Sequence, residues 1–328
     1  MKIGVWIHEH DLPLEPQIRS TAKAGFTTLR CYSYDYARKA APIVKEAGLN
    51  LLGGMYVDSE GLLTDWRSQL RFEELEQYKQ LGIALDGICV GNELREGGDE
   101  PGKKRFTARL SFGLTNLIQT YRLWMQDHEW EVPLTYAMEG IVLDEQGRFY
   151  EWLWPLIEAC DFVGINLYPM GNEAWFTFGA FEESRRFLQE PRCRHDRLVQ
   201  FEFTLRRVLQ ALEPINKPLI LTETGFPSAI AYEIQNGNQV YPKHDTARFA
   251  EAMFEFVSII ARVNREYNNL IHALYFYEWR DNLYHPKIWN VEQSPIHTAF
   301  GLCEQDGTPK LDLPRLVKLA AQEALSTN

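Results

Sequence analysis

The chain has little of what marks several common protein classes. It holds five cysteines in 328 residues, an odd number with no CxxC pair or other ligand spacing, so no thiolate metal site is written in it. Basic residues are outnumbered, 34 Lys+Arg against 45 Asp+Glu, and a formal net charge of −11 argues against nucleic acid or another polyanion as partner. No apolar run approaches membrane-spanning length, and the start Met1-Lys2-Ile3-Gly4-Val5-Trp6-Ile7 runs directly into strand pattern without an h-region or cleavage site. No membrane partner is expected. A cytoplasmic protein follows most simply, although a secreted chain with its signal trimmed reads the same. No glycine-rich phosphate fingerprint follows the first strand, which weakens a dinucleotide-binding reading, and no cofactor is implied. No Pro/Ser/Gly linker or low-complexity stretch interrupts the chain, so one domain over 1–328 is expected.

What is present is core material, 45% hydrophobic residues, arranged as short apolar runs alternating with longer amphipathic ones. Strands are expected at 3–8, 27–32, 50–57, 87–93, 132–138, 161–168, 218–222 and 271–279. Helices are expected at 14–24, 37–47, 72–81, 106–128, 197–212, 246–267 and 313–325. Within 106–128, Leu110, Leu114, Leu117, Ile118 and Tyr121 share one face. Eight successive strand–helix units predict a single closed (β/α)₈ TIM barrel rather than an open doubly wound sheet. Cys31, Cys89 and Cys160 fall in its apolar runs, where buried reduced thiols are the default.

Barrel chemistry sits at the carboxyl ends of the strands. There the sequence places His8, His10, Arg30, Tyr32, Tyr56, Asn92, Glu93, Glu139, Asn166, Tyr168, Glu223, Glu278 and Trp279. Carboxylates and amides bond hydroxyls while flat rings cover apolar sugar faces, so this set suits a neutral polyhydroxylated substrate. Glu93 ends strand four and Glu223 ends strand seven. Two carboxyl groups brought about 5–5.5 Å apart are the equipment for cleaving a glycosidic bond with retention, whereas about 6.5–9.5 Å implies inversion. Asn92 supplies an amide that can bond a sugar 2-hydroxyl. Either glutamate alone means little and reads more readily as a capped turn or a rim carboxylate beside a turn.

Together, Val90-Gly91-Asn92-Glu93 and Thr222-Glu223-Thr224-Gly225-Phe226-Pro227-Ser228 resemble the acid/base and nucleophile motifs of glycoside hydrolase family 17, the β-1,3-glucanases of the retaining clan A. Leu29-Arg30-Cys31-Tyr32, Gly164-Ile165-Asn166-Leu167-Tyr168-Pro169, Phe300-Gly301-Leu302 and Asp306-Gly307-Thr308-Pro309-Lys310 extend the resemblance over nearly the whole chain. It implies Glu93 as acid/base and Glu223 as nucleophile, with Tyr168 beside the nucleophile and Arg30 orienting its carboxylate. It also implies a β-glucan or gluco-oligosaccharide substrate, hydrolysed or transglycosylated. Endo or exo action and oligomeric state stay open.

Trp175 and Trp279, in the loops after strands six and eight, are equally suited to sugar contact and to packing; for Phe176, Phe178 and Phe181 packing is the expectation. Three other readings remain. His8-Glu9-His10 has the strand spacing of a metal-dependent amidohydrolase barrel. Glu93, Glu139, Glu223 and Glu278 could ring a divalent cation, as in a sugar isomerase. A non-catalytic carbohydrate-binding barrel would keep the same rim.

Overall fold

Strand β1 (Lys2–Trp6) pairs in parallel with both β2 (Thr28–Arg30) and β10 (Ile271–Phe276), and the second pairing closes the sheet. The computed structural model describes residues 1–7, 13–96, 105–140, 143–170, 180–235, 239–282 and 295–322. The remaining barrel strands are β3 (Asn50–Met55), β4 (Leu85–Asn92), β5 (Leu134–Glu139), β6 (Val163–Asn166) and β7 (Leu219–Thr224). Their order around the barrel, β1-β10-β7-β6-β5-β4-β3-β2, is the expected (β/α)₈ arrangement, with β10 as the eighth barrel strand.

The helices form where apolar residues recur every three or four positions behind a capping side chain. Ser33 caps α2 (Tyr34–Glu46), Thr107 caps α5 (Ala108–Asp127) and Asp245 caps α9 (Thr246–Glu266), each accepting a backbone N–H of the first turn. All five residues expected on the inner face of α5 are buried. The other helices are α1 (Leu14–Lys23), α3 (Ser59–Asp65), α4 (Phe72–Gln80), α6 (Trp154–Ala159), α7 (Ala180–Gln189), α8 (Pro191–Leu212) and α10 (Leu313–Ala321). Helices α3, α6 and α7 are additions to the sequence reading; α3 and α6, at seven and six residues, leave too few repeats for periodicity to show.

Inside the barrel, Leu52, Phe162, Ile220, Ala273 and Tyr275 form a separate small core. Gly4 makes room for it: a Cβ there would lie 2.5 Å from the Tyr275 ring.

A second difference from the sequence reading lies after β7. Strands β8 (Ala229–Gln235) and β9 (Gln239–His244) form an antiparallel hairpin outside the barrel. Its signal was legible: two short runs with β-branched and aromatic residues, Ile230 to Ile234 and Val240-Tyr241, flank Asn236-Gly237, a strong hairpin dipeptide.

The hairpin is tied to the barrel through a buried charge cluster. The Lys310 ammonium donates to Asp281 Oδ1 (2.5 Å), Ser228 Oγ (2.8 Å) and the Gly301 carbonyl (2.8 Å), while His244 at the end of β9 meets Asp281 Oδ2 at 3.1 Å. The Lys310 side chain is fully buried. Burial pushes its ammonium down from the usual lysine range, and Asp281 opposes that. Removing one partner of a buried pair leaves the other uncompensated, so Lys310→Met should lower stability by about 3–5 kcal/mol. Urea unfolding with an unchanged midpoint would contradict this account of the cluster.

Candidate active site

Both strands expected to carry the chemistry contain one extra residue where they reach the rim. Between Leu221 and Glu223, β7 advances two residues while β6 advances one, and the pairing with β10 shows the same surplus. Between Cys89 and Asn92, β4 advances three while β5 advances two. Such bulges redirect the side chains that follow them. On β4 the redirection continues through Gly91 (φ 82°) and Glu93 (φ 50°), both in the left-handed region, which is uncommon for a glutamate.

Arg30 is the hub. It is fully buried, and its guanidinium donates through Nη1 to Glu223 Oε1 (2.7 Å) and the Thr222 carbonyl (2.6 Å), and through Nη2 to Asn92 Oδ1 (2.8 Å). One side chain thus ties β2 to both bulged strands. Burial opposes the Arg30 charge, and Glu223 together with Tyr32, Cys89 and Tyr168 more than offsets it, so the guanidinium stays above its usual range. The Glu223 carboxylate also accepts from the Tyr32 hydroxyl, and from the Tyr168 hydroxyl at 2.8 Å. Burial first, and the Glu223 charge second, push both tyrosine hydroxyls well above the usual range, so they act as phenol donors. Every partner of this carboxylate donates to it, the surroundings that suit an ionised group.

Glu93 sits differently. It accepts from Asn166 Nδ2 (2.8 Å), while Arg95 approaches only to 3.8 Å. Its carboxyl is raised to about 7, by burial first and then by the charges of Glu223 and Glu139, with Asn166 and Arg95 working against them. Asn166 is oriented by Thr222, whose hydroxyl donates to its Oδ1 at 2.7 Å. Asn92 Oδ1 accepts from Arg30 and from Asn166 (3.2 Å), which fixes the amide and leaves its Nδ2 as the donor for a ligand. Glu139, ending β5, pairs with Arg95 Nε at 2.5 Å beside Glu93. Arg95 was not among the residues singled out from the sequence; it lies two positions past Glu93 in a loop with no motif.

Thus Arg30, Tyr32, Asn92, Glu93, Glu139, Asn166, Tyr168 and Glu223 meet at one end of the barrel. Two expected members do not join them. Trp279 is 3% exposed and packs edge-on against Phe26 (5.8 Å), in the layer between barrel and helices, so it offers no face to a sugar. Glu278 is 1% exposed with neither oxygen at the surface, and its foremost charged neighbours are Asp281 and Lys310. Burial, then Asp281, push its carboxyl well above the usual range. It therefore does not complete a ring of carboxylates with the other three. The strand ends at Phe276, short of the expected 279, and side-chain alternation no longer runs to Trp279.

Tyr277 takes the inward place instead. It stacks on Trp6 at 4.9 Å, Trp6 lies 4.6 Å from Tyr32, and the three rings wall the site. Parity with inward-facing Tyr275 was the signal that could have found it. Trp175, Phe176, Phe178, His8 and His10 lie outside the described residues. Phe181 packs on Tyr232 at 4.6 Å. Among the described residues, no three His, Cys, Asp or Glu side chains gather to hold a metal ion, and no helix is long and apolar enough to cross a membrane.

No protein-family profile matches the chain, and no curated protein sequence does. Solved structures do. An endo-laminarinase from Formosa Hel1_33_131 shares 17% identity over 94% of this chain and 84% of its own, with TM-score 0.60. CJP38, a β-1,3-glucanase and allergen of Cryptomeria japonica pollen, shares 14% over 95% and 98%, with TM-score 0.61. An exo-β-1,4-mannosidase, Op5Man5 from Opitutaceae bacterium strain TAV5, shares 16% over 98% of this chain and 59% of its own, with TM-score 0.60. The likeness is one of fold. This chain has the barrel on which those glycoside hydrolases are built, and their different substrates show that the barrel alone selects none.

Proposed function

We propose that the protein is a retaining β-glycosidase acting on a neutral β-linked glucan, with Glu223 as nucleophile and Glu93 as acid/base. The observation that carries this reading is the contrast between the two carboxyls. Glu223 is held by an arginine and two phenols, all donors, whereas Glu93 keeps its proton up to about pH 7. A carboxyl raised in this way, beside a second one ringed by donors, is the arrangement that suits an acid and a nucleophile.

In the first step Glu223 attacks the anomeric carbon while Glu93 passes its proton to the departing oxygen. Forming the ester removes the Glu223 charge, one of the causes that raise Glu93. Glu93 then falls toward the ordinary carboxylate range and serves as base for the incoming water or sugar hydroxyl. Asn92 Nδ2 is placed to bond the 2-hydroxyl, and Trp6, Tyr32 and Tyr277 line the wall. The β-1,3 preference is supported by the sequence motifs. Five free cysteines, four of them buried, support a reducing, cytoplasmic setting.

The test is product analysis on β-1,3-, β-1,4- and β-1,6-glucans, with the anomer of the first product followed by proton NMR. The expected result is turnover of the β-1,3 polymer with a β-anomer formed first. An α-anomer would reject the double displacement, and activity confined to a mannan or xylan would reject the substrate while sparing the mechanism.

A further inference from the structure

Consecutive backbone N–H groups hold the segment that carries the acid/base. Glu93 N–H donates to the Ala137 carbonyl (2.9 Å), Leu94 N–H to the Tyr136 hydroxyl (2.7 Å) and Arg95 N–H to Ser59 Oγ (3.3 Å). The shortest of these bonds depends on a side chain. Tyr136 lies on β5 three residues before Glu139, so the two side chains stand on opposite faces of the strand. Glu139 faces the site, where it pairs with Arg95, and Tyr136 packs in the core between barrel and helices. At 1% exposure Tyr136 offers no surface to a substrate. Phe106 stacks on its ring at 5.2 Å, immediately after the bridge between Glu96 and Arg105. The ring is thus held from outside, and the hydroxyl reaches the catalytic segment from behind.

The amide it holds is the one that sets the Glu93 side chain. Leu94 N–H shares its peptide unit with the Glu93 carbonyl, and Glu93 has φ 50°, a backbone state that a glutamate keeps only where its surroundings fix it. Burial pushes the Tyr136 hydroxyl well above the usual tyrosine range, so it stays a neutral phenol whose oxygen accepts. Leu94 is itself buried, and without that acceptor its N–H is left unsatisfied. Rotation of the amide toward another acceptor would swing the Glu93 carboxyl away from its place. We propose that Tyr136 is a positioning residue for the acid/base: its hydroxyl fixes the Glu93–Leu94 amide and thereby aims the Glu93 carboxyl at the departing oxygen. The inference rests on the glycosidase reading and deepens it, making proton donation depend on a residue that never meets the substrate.

The test compares full-length wild type and Tyr136→Phe on two substrates. One is the polysaccharide that the wild type turns over, whose leaving alcohol needs a proton; the other is the dinitrophenyl β-glycoside of the same sugar, whose leaving group needs none. The readout is the ratio of kcat/KM on the aryl substrate to that on the polysaccharide, which reports the glycosylation step and cancels any unfolded fraction. In Tyr136→Phe the ratio rises about 10–100-fold through a loss on the polysaccharide alone, the scale of effect that a misplaced reacting group produces. Phe106→Leu, which loosens the ring and keeps the hydroxyl, leaves the ratio unchanged. An unchanged ratio in Tyr136→Phe overturns the proposal and leaves the proposed function standing, whether both activities hold or both fall. Failure of Tyr136→Phe to fold overturns it as well, since the hydroxyl then serves the fold as a whole. So does an equal rise in Phe106→Leu, which would trace the effect to packing. A wild type that cleaves neither a glycan nor an aryl β-glycoside overturns the proposed function and this inference with it.

Discussion

Replacing Glu223 by alanine should lower kcat on an aryl β-glycoside by on the order of 10⁵-fold, because it removes the carboxylate that the proposed double displacement uses as nucleophile. Glu93→Ala should behave differently on the same substrate. A good leaving group needs little protonation, so the glycosylation step survives and the intermediate accumulates. Added azide, which needs no general base, should then restore turnover and yield a β-glycosyl azide. On a natural glucan, where the leaving alcohol must be protonated, Glu93→Ala should lose about 10²–10⁴-fold. If azide rescues neither variant, or if Glu93→Ala collapses as fully as Glu223→Ala on the aryl substrate, the assignment of roles is wrong. Circular dichroism on both variants separates lost chemistry from lost fold.

The second large effect is on pH dependence. The acid must carry its proton at the moment of reaction, and burial together with Glu223 and Glu139 raises the Glu93 carboxyl to about 7. Activity should therefore be full on the acid side of that value and fall about tenfold per pH unit above it, as Glu93 ionises. The sign of two neighbours can be checked independently. Glu139→Gln removes a negative charge and should move the alkaline limb to lower pH; Arg95→Met removes a positive charge and should move it to higher pH, each by about one unit. Both substitutions break the Arg95–Glu139 pair, so a loss caused by that pair alone would move the two limbs in the same direction. Profiles of kcat/KM against pH distinguish these outcomes. Because the carboxyls interact, the limb reports the pair, not Glu93 alone.

The sequence carried the barrel because its information is local and repeated. Eight apolar runs separated by amphipathic ones can be recognised without knowing where any strand lies in space. The same locality placed Arg30, Asn92, Asn166 and Glu223 correctly, since strand ends are marked by the turns that follow them. Local reading failed where a feature was short or the strand alternation was broken. The hairpin of β8 and β9 is absent from the strand pattern read along the sequence, and of the two readings open for Trp279, sugar contact or packing, the structure has packing, because the strand ends three residues before it.

What tertiary structure alone decided is which groups meet and in what state of charge. Arg30 touches Asn92, 62 positions away, and Glu223, 193 positions away. No spacing in the sequence encodes that hub, because it depends on the closure of the sheet between β1 and β10 and on the extra residues in β4 and β7. Two glutamates of identical chemistry stand in different surroundings: Glu223 among donors, Glu93 beside another carboxylate. Composition and motif determined that both carboxyls would be present at one end of a barrel. Only packing, which sets the cost of charge at each position, decided that the Glu93 carboxyl is raised to about 7.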